Sequence, residues 1–187
     1  ARVKLIVFSK MLQELGIAEL IDFAQELGIE GYDMAVRPGY PVNPDNVAEA
    51  LPEAVSQFRA NGLDIPMVTA HGNLLQPDAE GAGLLAAMEA ADVRRLKLGY
   101  FKFVPGQMDY WDEVDKARKA LEGWSDLAEQ YGVRICYHTH SQRCLGLNAG
   151  TLAHMIRGFD PKRIGAFLDA GHLRAEGEEF DVAVSIV

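Results

Sequence analysis

Val133-Arg134-Ile135-Cys136-Tyr137-His138-Thr139-His140 is an apolar run that closes on two imidazoles, and Ile164-Gly165-Ala166-Phe167-Leu168-Asp169-Ala170-Gly171-His172 repeats the plan, closing on a carboxylate and an imidazole. Between them Leu152, Met155 and Ile156 fall at helical spacing. Similar runs begin near Val3, Gly31, Ile65 and Leu96. Each is followed by a helical pattern, at roughly the thirty-residue pitch of a strand-helix unit. Strict alternation of strands and helices predicts a parallel sheet joined by right-handed crossovers.

Working outward from that pair, strands are expected over residues 3–8, 31–36, 65–70, 96–103, 133–138 and 164–168. The first is read as an apolar strand buried on both faces. Helices are expected over 17–27, stopped by Gly28, over 43–61 with a break or kink at Pro52, and over 80–93, 110–131 and 148–158, with a further one from Phe180. A doubly wound sheet is the architectural rival. It calls for a glycine fingerprint after the first strand, where the chain instead has Ser9-Lys10-Met11-Leu12-Gln13. A closed barrel of eight units takes roughly 250 residues. The fold class is therefore read as α/β, a parallel (β/α) TIM-type barrel with six of its eight units in these 187 residues, one domain over 1–187 expected to be C-terminally incomplete.

Composition narrows the function classes. At 49% hydrophobic and 24% charged residues the chain can bury a core, and a formal charge of -9 disfavours a polyphosphate partner. Nucleic acid is thus not the expected ligand. No apolar run reaches the roughly 20 residues of a membrane span, so no membrane partner is expected and a cytoplasmic location is. Cys136 and Cys144 form no metal-type pair and read as structural thiols.

Polar side chains at strand ends are where a parallel barrel builds its chemistry. Strand alternation places Cys136, His138 and His140 on one face and Ile135, Tyr137 and Thr139 on the other, provided the extended chain continues. Two imidazoles about 6–7 Å apart along a strand can approach one ion or one substrate. The competing reading is a packed, hydrogen-bonded pair. Asp169 and His172, with Gly171 easing the turn, offer an oxygen and a nitrogen ligand, or else a helix cap with the histidine at the surface. His71 ends the third strand and is a candidate for substrate or metal. Lys102, in Tyr100-Phe101-Lys102-Phe103, can hold an anionic oxygen or merely snorkel. Arg37 and Tyr40 can meet a phosphate, carboxylate or sugar hydroxyl, or order their loop. His154, Trp111 and Trp124 read as structural, helix-packing or surface residues.

These strand-end segments, together with Gly31-Tyr32-Asp33-Met34, resemble the xylose-isomerase-like TIM-barrel superfamily of sugar phosphate isomerases and epimerases, inosose dehydratases and type IV apurinic endonucleases. In the epimerases a glutamate ending strand five, an aspartate after strand six, a histidine after strand seven and a glutamate after strand eight bind a divalent metal. By position Asp169 matches the aspartate, and His172 matches a neighbouring histidine that contacts substrate in the epimerases and metal in the endonucleases. His138 falls at the glutamate position. That departure resembles the Tyr-His-x-His pattern of the dehydratase branch and argues against a two-glutamate proton shuttle.

The resemblance implies a metal-dependent isomerase, epimerase or related dehydratase acting through an enediolate on a small sugar, sugar phosphate or inositol-type keto-polyol. It implies a divalent cofactor (Mn, Mg, Co or Zn) on Asp169 and His138, with His138 or His140 as acid or base and His172, His71, Lys102 and Arg37 toward substrate. The alternatives are an apurinic-endonuclease-like phosphodiesterase and a non-catalytic sugar-binding barrel fragment. Unpaired edge strands favour association, so a homo-oligomer is one expected outcome.

Overall fold

Each of the six apolar runs forms a strand in the computed structural model, which describes residues 3–187. The strands are Val7–Phe8 (β1), Gly31–Val36 (β2), Asp64–Ala70 (β3), Arg95–Lys97 (β4), Arg134–His138 (β5) and Ile164–Phe167 (β6). Every pairing is parallel, and the spatial order is β1-β2-β3-β4-β5-β6. That order separates the two architectures. A doubly wound sheet reverses direction at its switch point, whereas here each crossover moves one strand onward in the same direction, as in a TIM-type barrel.

The helices are Ile17–Leu27 (α1), Val47–Ala60 (α2), Ala79–Ala90 (α3), Tyr110–Tyr131 (α4), Ala149–Ile156 (α5), Ala170–Ala175 (α6) and Phe180–Ile186 (α7). Their ends follow the sequence chemistry. Gly28 and Gly132 close α1 and α4 in the left-handed conformation, and Asp78, Asp109, Asn148 and Asp169 cap α3 to α6 with side-chain oxygens. Pro52 does not break α2, which runs unbroken from Val47 to Ala60.

Two strands are shorter than their apolar runs. At the sheet edge only Val7 and Phe8 of the first run pair with β2, while Val3 and Leu5 are exposed, so that run is not buried on both faces. Pairing with β3 ends at Lys97, and Gly99 then passes close to the loop after β3: a Cβ there would lie 2.6 Å from the Gly72 carbonyl oxygen. Residues 98–103 are consequently loop, with Lys102 in an isolated antiparallel bridge to Cys144. Ser9–Leu12 forms a 3-10 turn that the sequence did not announce.

The core lies between strands and helices, built from Leu51, Phe58, Leu85, Leu121, Ile135 and Tyr137 among others. Trp124 of α4 is fully buried, and its indole N–H donates to the Leu75 carbonyl at 3.0 Å. It fits because residue 81 is glycine: a Cβ there would lie 2.5 Å from the indole ring. Trp124→Ala therefore leaves a large void with an unpaired carbonyl, and should lower the unfolding free energy by about 3–5 kcal/mol in urea denaturation. A loss below about 1 kcal/mol would contradict this packing.

Candidate functional site

Alternation along the strands sorts side chains into two environments. One parity faces the helices and is apolar. The other carries Phe8, Asp33, Lys97, His138 and Phe167, which line a single cleft of about 350 Å³ at the C-terminal ends of the strands. Beyond the strand ends Lys10, Met11, Arg37, Gly72, Tyr100, His140, Asp169 and His172 complete the wall.

Asp169 organises the mouth. It is the N-cap of α6: Oδ1 accepts the His172 backbone N–H at 3.0 Å, and Oδ2 faces His138 Nε2 at 3.4 Å. Its own N–H donates to Thr139 Oγ1 at 2.8 Å, which ties the end of β6 to the end of β5. The helix-cap reading of Asp169 is thus realised through Oδ1, while Oδ2 faces His138. Gly171 sits within the first helical turn rather than in a left-handed bend, and a Cβ there would crowd Asp169 Oδ1 at 3.2 Å.

His138 is buried, and its Nδ1 has no partner among the described residues. Burial, reinforced by the Lys97 charge, holds its imidazole far below the ordinary histidine range despite the pull of Asp169. It is neutral at physiological pH, with a lone pair to give. Burial raises the Asp169 carboxyl, but the His172 N–H and the imidazoles outweigh this and hold it below the usual range. His172 Nδ1 lies 2.8 Å from Ser141 Oγ and accepts the Ser141 backbone N–H at 3.4 Å, so the loop after β5 fixes how its ring is turned. His140 Nδ1 donates to the Ser141 carbonyl at 2.7 Å, leaving Nε2 as its basic nitrogen. Burial also lowers the His140 pKa. Its ring stacks between Tyr100 and His172, each 4.0 Å away by centroid. Gln142 and Arg143, both at positive φ without being glycine, turn the loop that holds Ser141 in place.

His138, Asp169 and His172 offer ligand atoms no more than 4.8 Å apart. The 3.4 Å between His138 Nε2 and Asp169 Oδ2 is long for a charge-assisted hydrogen bond. It equals the edge of a tetrahedron with bonds of about 2.1 Å, the zinc geometry. Two imidazoles and a carboxylate make an N, O, N donor set of the kind that suits a borderline divalent cation and leaves positions open for substrate.

Other expected site residues lie apart from this cluster. His71 turns from the cleft because Glu80, on the first turn of α3, holds its Nε2 at 2.6 Å beside a separate 130 Å³ cavity. Lys102 is exposed over the Tyr100 ring, with Nζ 3.5 Å from Cys144 Sγ. Tyr40 bonds the Lys10 carbonyl, His154 pairs with Tyr110 at the surface, and Trp111 is exposed rather than packed in the core. Arg37 does line the cleft. Sequence reasoning missed Asp33 and Lys97. Their signal was available, since each is a charged residue inside a strand whose neighbours are buried.

A parallel α/β barrel with ionisable groups gathered at its strand ends defines the class, a TIM-type barrel. The chain belongs to the xylose isomerase-like TIM-barrel family, whose model matches residues 21–186. Among solved structures it is similar to 3-keto-D-glucoside 4-epimerase from E. coli at TM-score 0.77 and 13% identity, over 98% of this chain and 74% of that one. It is similar to the probable 3-DHS dehydratase of Bacillus anthracis at TM-score 0.73 and 13% identity, over 99% and 71%. The IolI protein, solved with a bound zinc atom, matches at TM-score 0.74 and 17% identity, over 96% and 67%. No curated protein matches the sequence. At such identities the likeness is one of fold.

Asp33 provides a test of the cleft's interior electrostatics. Burial pushes its carboxyl up to about 6 against the opposing Thr69 hydroxyl and the Lys97 and Arg37 charges. In the unfolded chain it ionises near 3.9. Between those values the native state keeps a proton that the unfolded state has lost, so this group's contribution to stability falls as pH rises through that window. Asp33→Asn should therefore gain on the wild type by on the order of 2 kcal/mol between about pH 4 and 6, and no more above it. Unfolding free energies of both proteins across that range check this; a pH-independent difference would contradict it.

Proposed function

We propose that this chain is a divalent-metal-dependent isomerase or epimerase, or a dehydratase of the same type, acting on a small sugar, sugar phosphate or inositol-type keto-polyol. The observation that carries the reading is the convergence of His138, Asp169 and His172 at the barrel mouth, with a third imidazole, His140, stacked on His172. Sugar epimerases and a dehydratase among proteins of the same fold support it, as does the zinc in one of them.

In this reading His138 Nε2, Asp169 Oδ2 and His172 hold the cation. A divalent cation held by these residues would supply Lewis-acid polarisation of adjacent carbonyl and hydroxyl oxygens, which would make the intervening C–H more acidic. His138, buried and turned to Asp169, serves as a ligand rather than a base. The proton passes instead to His140 Nε2, because the Ser141 carbonyl fixes the Nδ1–H tautomer and lowered basicity keeps the ring unprotonated near neutral pH. Return of that proton to the neighbouring carbon gives isomerisation, whereas epimerisation requires a proton delivered to the opposite face of the original carbon by a second donor. Arg37 and the apolar rings of Phe8 and Phe167 orient the sugar and limit water.

Metal analysis after dialysis, combined with exchange of a keto-sugar C–H into deuterated water, tests this. Asp169→Ala should lose the stoichiometric metal together with exchange. His140→Ala should keep the metal and lose about 10²–10⁴-fold in exchange rate. Metal retained in Asp169→Ala, or exchange unaffected in His140→Ala, would overturn the assignment.

A further inference from the structure

The cleft holds cations that the proposed metal chemistry does not use. Lys97, the last residue of β4, is only 7% exposed, and no carboxylate oxygen lies within 4 Å of its Nζ among the described residues. Its nearest aromatic neighbours are Phe8 and Phe167, with ring centroids at 5.5 and 5.7 Å. Asp33, the buried acid on the same interior, is already committed: both of its oxygens accept from Thr69 Oγ1, at 2.7 and 2.8 Å. Arg37, at the end of β2, approaches Phe8 as well, at 5.7 Å, and its buried Nε has no hydrogen-bond partner. Lys10, on the turn after β1, lines the same wall.

Three cations, from the ends of β1, β2 and β4, thus face one cleft without an ion pair among the described residues, in a chain of net charge -9. Six basic residues elsewhere, Lys4, Arg59, Arg94, Lys116, Lys119 and Arg163, sit within 4.0 Å of a carboxylate, all of them on the outer surface rather than in the cleft. Gathering like charges in a partly desolvated space is costly unless an anion enters it, and such a cleft concentrates anions. Repulsion is felt within the group. Burial, with smaller contributions from the charges of Arg37 and Lys10, lowers the Lys97 pKa to about 8 against the opposing charges of Asp33, the largest of the four, and Asp169.

We propose that Lys97, Arg37 and Lys10 form an oxyanion subsite that binds a carboxylate or phosphate carried by the substrate, alongside the His138, Asp169 and His172 cluster. This rests on reading the cleft as a sugar site and narrows the substrate to an anionic one, a sugar acid or a sugar phosphate. The guanidinium suits two oxygens of either group, and the ammonium adds a third contact from the barrel floor. The neutral end of the substrate then points to the mouth cluster.

Calorimetric titration of the chain with inorganic phosphate and with glycolate, in EDTA and against chloride at matched ionic strength, tests the subsite without metal or turnover. Saturable binding of at least one oxyanion is expected. Tighter phosphate indicates a sugar phosphate and tighter glycolate a sugar acid. Lys97→Met should weaken it by about tenfold or more, Lys97→Arg should retain it, and Asp169→Asn, which removes a proposed metal ligand, should leave it intact. Loss of metal chemistry and loss of this subsite are therefore read separately. No saturable binding of either anion, or equal affinity in a folded Lys97→Met, overturns the proposal. If Lys97→Met does not fold, Arg37→Gln decides: weakened binding supports the subsite and unchanged binding overturns it.

Discussion

The Asp169 carboxylate answers to two geometries at once, and the mouth of the barrel depends on that. Oδ1 must sit under the first turn of α6 to accept the His172 N–H, while Oδ2 must face His138 across the gap between β6 and β5. A six-residue helix has little stability of its own, so the cap fixes where it starts and hence where the His172 ring points. Thr139 adds the lateral tie by accepting the Asp169 N–H and donating toward the Phe167 carbonyl. Structure and site are therefore not separable here. The interaction that starts α6 is the one that gathers the ligands.

Below the mouth, the barrel interior departs from the apolar packing found between sheet and helices. Asp33, Thr69, Lys97 and His138 are all buried; Thr69 and Lys97 ease the charge on Asp33, while burial and the Lys97 charge leave the histidine neutral. Neutral imidazole is the form that binds metal. Burial, reinforced by an interior cation, thus keeps His138 in the form that the proposed ligand role requires, while the outer layer, with Trp124 and its neighbours, supplies apolar packing. The same cation remains without a close anionic partner, which makes it available to substrate.

Much of this was legible in the sequence because periodicity reports on local structure. The apolar runs, the Gly28 stop and the long amphipathic pattern of α4 each matched an element. His138, Asp169 and His172 could be read as strand-end groups, and the structure brings them together. What failed depends on contacts distant in sequence. His71 shares the strand-end signature, but the Glu80 side chain on α3 draws it elsewhere. The fourth run was read through Phe103, which drew attention to Lys102; pairing with β3 ends at Lys97, before the close approach of Gly99 to Gly72, and that lysine faces the cleft. Asp33 was quoted as pattern and passed over as chemistry, since nothing local reveals that Thr69 stands opposite it.

The central claim is that one cation is shared by β5, β6 and α6. Anomalous diffraction from crystals grown with zinc or manganese measures it directly. The account predicts a single strong peak within bonding distance of His138 Nε2, Asp169 Oδ2 and His172, with Ser141 still bonded to the far nitrogen of that last ring. A peak only elsewhere, or the three side chains turned apart around no metal under saturating conditions, would contradict it.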